Sequence, residues 1–176
     1  MQRTPWLALS YTVPINPSKA RVYVWRKLRE FGAEYLKQSV AVLPNTAQNL
    51  ENLTKLSQRI RQQGGEASLL ELRFLDPADE AEMTARFKAQ IQREYRELLD
   101  DCAHAIGELK DRLPGPFSQK ENERVKQMIK RYQKAKARDY FQSGEERELE
   151  AGIHEILDTM RDLASDVGKP FRGLGL

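Results

Sequence analysis

The chain has 176 residues, enough for one domain of moderate size or a small domain with an appendage, and its 29 Lys+Arg against 26 Asp+Glu give a net charge of +3. A single cysteine excludes a disulfide framework and any all-cysteine zinc or iron–sulfur site. With 40% hydrophobic and 31% charged residues, and no apolar run near the roughly 20 residues that cross a bilayer, a soluble cytoplasmic protein without a membrane partner is expected.

Trp6 to Val13 reads as a strand, because Leu7, Leu9, Tyr11 and Val13 alternate with Ala8, Ser10 and Thr12 before Pro14 stops it. Asn16 or Ser18 caps the next helix, with Pro17 tolerated in its first turn. That helix buries Ala20, Val24, Leu28 and Phe31 and ends at Gly32. Ala33 to Leu43 is long enough for two short strands or one bent strand. A second helix from Ala47 to Gln63 is expected to bury Leu50, Leu53, Leu56 and Ile60, and Gly64-Gly65 ends it. In a last strand, Glu66 to Leu75, Leu70, Leu72 and Phe74 share one face and Glu71 and Arg73 the other.

Strand, helix, strand pair, helix, strand is the split βαβ order of a ferredoxin-like domain, so the predicted fold class is α+β. Residues 1–75 would form that domain, whose small core needs cover from the rest of the chain. From Asp76 the period becomes helical: Met83, Phe87, Ile91, Tyr95, Leu98, Cys102, Ile106 and Leu109 make one apolar stripe, broken by Leu113-Pro114-Gly115-Pro116. Capping boxes at Ser118 to Glu121 and Ser143 to Glu146 start two further helices. Residues 76–167 are therefore expected to form a helical extension and bundle packed on the sheet domain, and 168–176 a loose tail.

Charge is sorted along the chain. Residues 1–75 carry eleven basic and five acidic side chains, 76–119 six and ten, 120–140 eight and three, and 141–176 four and eight. Two basic blocks thus face two acidic ones, and either a polyanion or the chain's own carboxylates can neutralise them. On the first helix Lys19, Arg26 and Arg29 lie opposite the core line, Arg21 and Lys27 flank it, and Val22 and Trp25 stay partly outside it. A second stripe repeats every four residues as Lys126, Lys130, Lys134 and Arg138, with Arg124 and Arg131 nearby. Like charges at that spacing repel, so an anion or an acidic neighbour is expected beside them.

Catalysis finds little material. His104 and His154 are the only histidines, and there is no nucleophile elbow, phosphate-cradling glycine loop or two-histidine metal helix. Glu150, His154 and Asp158 share one helical face, a spacing more often found in a solvated charged face than in a metal site. Cys102 lies inside the apolar stripe and reads as a small buried hydrophobe. No enzyme, metal or cofactor is expected.

The segments Trp6-Leu7 with Tyr11 and Val13-Pro14, Pro17-Ser18 with Arg21-Val22-Tyr23-Val24-Trp25-Arg26-Lys27-Leu28, Gly32, Ser39-Val40-Ala41-Val42-Leu43-Pro44 and Gly64-Gly65-Glu66-Ala67 resemble the amino-terminal domain of the ChrB chromate-resistance regulators. The helices to about Val167 fit that domain as well. The resemblance implies a bacterial DNA-binding regulator associated with a chromate-responsive operon. The sheet pattern is also similar to the middle domain of PaaX-type repressors and to the small ferredoxin-like nucleases of CRISPR adaptation. Those nucleases place a metal-binding aspartate just after their first strand, whereas Thr12-Val13-Pro14-Ile15 offers no carboxylate, which argues against metal-dependent cleavage. ChrB-type regulators normally carry a second, carboxy-terminal domain to which sensing is attributed. The chain ends at Leu176 without it, so DNA binding without sensing, or work with a separate sensor protein, is expected.

The functional expectation is a non-enzymatic DNA-binding regulator. Its phosphate contacts would come from Lys19, Arg21, Arg26, Lys27 and Arg29, with Lys126, Lys130, Lys134 and Arg138 as a second strip. A homodimer is expected, through sheet edges or the stripe of the long helix. The rival from another class is a protein-interaction module whose first helix and long-helix stripe dock a separate partner. A chromate-handling enzyme is the weakest reading, since nothing in the chain carries electrons.

Overall fold

The computed structural model describes residues 5–14, 18–111, 113 and 115–163. The candidate caps Asn16 and the Ser18 side chain, the first-turn Pro17, Pro114 in the expected helix break, Val167 and the tail 168–176 lie outside these. The chain divides into two compact units, Met1–Phe87 and Lys88–Leu176. Among the described residues no helix is long and apolar enough to cross a membrane.

The first unit holds β1 (Trp6–Thr12), α1 (Ser18–Phe31), β2 (Glu34–Lys37), β3 (Val40–Pro44), α2 (Ala47–Gln62), β4 (Glu66–Leu72) and the first turns of α3 (Pro77–Lys110). The four strands form one antiparallel sheet in the order β2-β3-β1-β4, the ferredoxin-like βαββαβ topology. Both helices stop in the same way. Gly32 (φ 74°) and Gly64 (φ 78°) adopt the left-handed conformation, and in each case two amide bonds close back on the last turn, from Gly32 to Arg29 and Ala33 to Leu28, and from Gly64 to Arg61 and Gly65 to Ile60.

The register places Leu7, Leu9, Ala41, Leu43 and Leu69 on one face, where α2 packs against β1 and β4 and α1 against α2. Leu53, Leu56 and Ile60 are buried there with Ala20, Val24 and Leu28. Leu50 was expected among them but is 44% exposed. Asn49 is buried in its place, because its side-chain amide donates to the Pro44 carbonyl at 2.9 Å and its backbone N–H to the Thr46 cap.

The opposite face carries Trp6, Ala8, Val42, Pro44, Leu70 and Leu72. Trp6 to Leu9 are all buried, so β1 is covered on both sides. The start of α3 supplies the second cover. The Trp6 ring meets Phe74 edge-on at 5.8 Å and Phe87 at 5.6 Å, and its Nε1–H donates to Glu80 at 3.2 Å. Arg86 reaches back to Glu34 at 3.0 Å and to the Tyr35 carbonyl at 2.8 Å. Met83 and Phe87, read in sequence as the head of the long stripe, thus belong with the sheet, and the division between units falls inside α3.

The second unit contains the rest of α3 with α4 (Gln119–Lys136) and α5 (Glu146–Leu163). Its core joins Ile91, Tyr95, Leu98, Cys102 and Leu109 to Val125, Met128, Ile129 and Tyr132 and to Leu149, Ile153, Ile156 and Met160. Ser118 caps α4 with both bonds of the capping box, to and from Glu121. The second expected box does not form. Ser143 donates its amide and hydroxyl to the Asp139 carboxylate at 3.0 and 2.8 Å, Gln142 takes φ 51°, and α5 begins at Glu146. Burial pushes the Cys102 thiol up to about 11, which keeps it protonated and inert at neutral pH.

Candidate nucleic-acid interface

Helix α1 is 14 residues long, about 21 Å at 1.5 Å per residue. With Ala20, Val24 and Leu28 buried, the 3.6-residue period turns Lys19, Arg26 and Arg29 outward and leaves Arg21 and Lys27 on the flanks. Lys19, Arg21, Arg26 and Arg29 are exposed. Among the described residues Lys19, Arg21 and Arg26 make no ion pair. Lys27 is held by Glu30, the helix's sole carboxylate, at 2.9 Å, a hydrogen bond that keeps its ammonium above its usual pKa. Five cations therefore share one carboxylate.

Apolar groups stand among these charges. Val22 is 51%, Tyr23 40% and Trp25 49% exposed. The Arg29 guanidinium lies over the Trp25 ring, 5.4 Å from its centroid. Sequence reasoning did not single out Tyr23. It lines a cavity of about 290 Å³ between α1 and α2 that also takes in Lys27 and Lys55, and the only signal for it was its position one residue before a core valine.

On α4 and in the turn just after it the basic residues separate into two sets. Lys130 and Lys134 point away from the buried line of Val125, Met128, Ile129 and Tyr132, half-buried Lys126 flanks it, and among the described residues none of the three makes an ion pair. Arg138 does not stand with them. It makes a two-pronged bond to Glu94 at 3.0 and 2.6 Å, and its side chain is only 16% exposed. Arg124 pairs with Glu108 at 2.6 Å, Arg131 with Asp101 at 2.5 Å, and Lys136 with Glu146 and Glu150 at 2.8 and 2.7 Å. The acidic neighbours expected beside the stripe are thus taken up by the arginines and Lys136.

Glu150 accepts from Tyr132 at 2.6 Å as well as from Lys136, and those bonds hold its carboxyl below the usual range. Asp158 is bonded to Arg161, and the His154 ring pairs with the Glu150 carbonyl. Among the described residues no three His, Cys, Asp or Glu side chains are grouped to hold a metal.

A ferredoxin-like unit with a cationic, aromatic first helix, followed in the chain by a three-helix unit, is the class of protein these features define. The chain belongs to the ChrB amino-terminal family, whose description, Protein ChrB, N-terminal, matches residues 21–172. It is also similar to Protein ChrB of Cupriavidus metallidurans, at 30% identity over 108 residues. That stretch is 61% of this chain and 33% of the relative, so the match spans about a third of the relative's length. No solved structure matches.

Proposed function

We propose that this chain is a non-enzymatic, DNA-binding transcriptional regulator associated with chromate resistance, acting in the cytoplasm. The observation that carries the reading is the outer face of α1, where Lys19, Arg21 and Arg26 stand exposed with no ion pair among the described residues. Unpaired guanidinium groups on a rigid helix suit phosphate oxygens. Family membership adds the chromate connection. Lys126, Lys130 and Lys134 are a second candidate strip; Arg138 is left out, since releasing it would break its pair with Glu94.

The protein-docking alternative loses one of its two surfaces, because the α3 stripe from Ile91 to Leu109 is internal to the second unit. The homodimer proposal then rests on the sheet edges β2 and β4 alone. The deciding experiment is fluorescence anisotropy on the DNA upstream of the chain's own gene across a salt series. Binding that weakens steeply with salt and is reduced in R26A/R29A supports the proposal. Equal binding by the double variant overturns the assignment of α1, and affinity no greater than that of an unrelated basic protein overturns DNA recognition.

A further inference from the structure

We infer that Trp25 is a base-stacking residue, so that the α1 surface takes single-stranded or locally opened DNA in preference to intact duplex. The inference rests on reading α1 as a nucleic-acid surface and adds the form of the ligand. Phosphate binding explains exposed arginines but not an exposed indole. Trp25 is 49% exposed, and Arg21 and Arg29 stand one helical turn on either side of it, with Arg26 next to it in sequence and Val22 three residues before. Among the described residues the ring's one partner is the Arg29 guanidinium at 5.4 Å, and its Nε1–H makes no hydrogen bond. A guanidinium covers one face of a ring, and an indole has two.

In an intact duplex each base is covered by its neighbours, and a helix laid along the backbone meets phosphates and sugars, to which an indole adds little. An unstacked base offers a flat face that an aromatic ring can cover while flanking cations hold the phosphates on either side. The arrangement of Arg21, Trp25 and Arg29 along one line of α1 is that combination: charge, ring, charge. A bare patch for a protein partner would not require so one-sided a balance, with five cations against Glu30.

The chain's two tryptophans make the test direct. Trp6 is 1% exposed beneath Phe74 and Phe87, so its emission is a constant background and any change on binding reports Trp25. The intact chain is titrated with a mixed-sequence single strand of about 12 nucleotides and with the duplex of the same sequence, following tryptophan emission and the anisotropy of labelled DNA together. Quenching by the single strand is expected. W25A should lose on the order of tenfold in single-strand affinity with little change for duplex, and W25F should recover most of the loss. Single-strand binding with unchanged emission and an unaffected W25A overturns base stacking while leaving the DNA reading intact. An equal loss on both DNA forms overturns the preference, and absence of binding to either form overturns the DNA reading itself.

Discussion

Three glycines that look alike in the sequence have different consequences once their surroundings are known. Gly107 lies within α3, and a Cβ placed there meets nothing within 4 Å. Gly152 lies within α5, and its Cβ would rest on Cys102 Cβ at 3.4 Å, an ordinary contact. Since glycine in a helix interior costs about 0.5–1 kcal/mol relative to alanine, G107A and G152A are each expected to raise stability by about that amount in urea denaturation. Gly65 differs. Its Cβ would run into the Thr12 carbonyl oxygen and meet Ile60 Cγ2 at 2.8 Å, so G65A is expected to destabilise by about 1–3 kcal/mol. A G65A protein as stable as the parent would show that the close approach of α2's end to β1 is not tight.

At the scale of elements, α3 is joined to α4 and the turn that follows it by a ladder of ion pairs. Arg124 pairs with Glu108, Arg131 with Asp101 and Arg138 with Glu94. Each step of seven forward from Arg124, through α4 and into the turn that follows it, is matched by a step of seven back along α3, the pattern of two antiparallel helices whose flanking charges set register. The Arg124–Glu108 and Arg131–Asp101 pairs are about half exposed, so each should contribute under about 1 kcal/mol. Arg138 is less exposed and bonded twice, and R138A is expected to cost about 1–2 kcal/mol. Reversing one rung, R131E, should lower stability, and D101R added to it should restore most of the loss. Failure of the second change to rescue the first would mean that the pair does not set register.

The ladder also marks what could be read from the sequence and what could not. Strand and helix order was legible because its signals are local: alternation in Trp6 to Thr12, left-handed glycines after α1 and α2, and a capping box at Ser118. The outward face of α1 was legible for the same reason. Arg138 was misgrouped because a spacing of four aligned it with Lys134, while the spacing of seven that matters is visible only when α3 is read backwards beside α4. Ser143 misled similarly, as Asp139 takes the hydroxyl that a helix start would have used. The double cover on β1 depends on where the chain returns after β4, which no local pattern carries.

For the whole molecule, two groups stand out among the cations that make no ion pair among the described residues, because each is gathered on one helix: Lys19, Arg21, Arg26 and Arg29 on α1, and Lys126, Lys130 and Lys134 on α4. They lie in different units, so their roles can be separated by substitution without disturbing a shared core. Counterion release makes the slope of log K against log salt fall by about 0.9 for each duplex phosphate contact removed. R21A/R26A/R29A should therefore flatten the duplex slope by up to about 2.7, because all three side chains are exposed on one helix. K126A/K130A/K134A should produce a similar change only if α4 meets the same DNA. An unchanged slope in the lysine variant would confine the contact to the first unit, and an unchanged slope in the arginine variant would move it to the second. A loss confined to the arginine variant is expected, since Arg21, Arg26 and Arg29 are all exposed on one helix, whereas Lys126 of the second strip is half-buried.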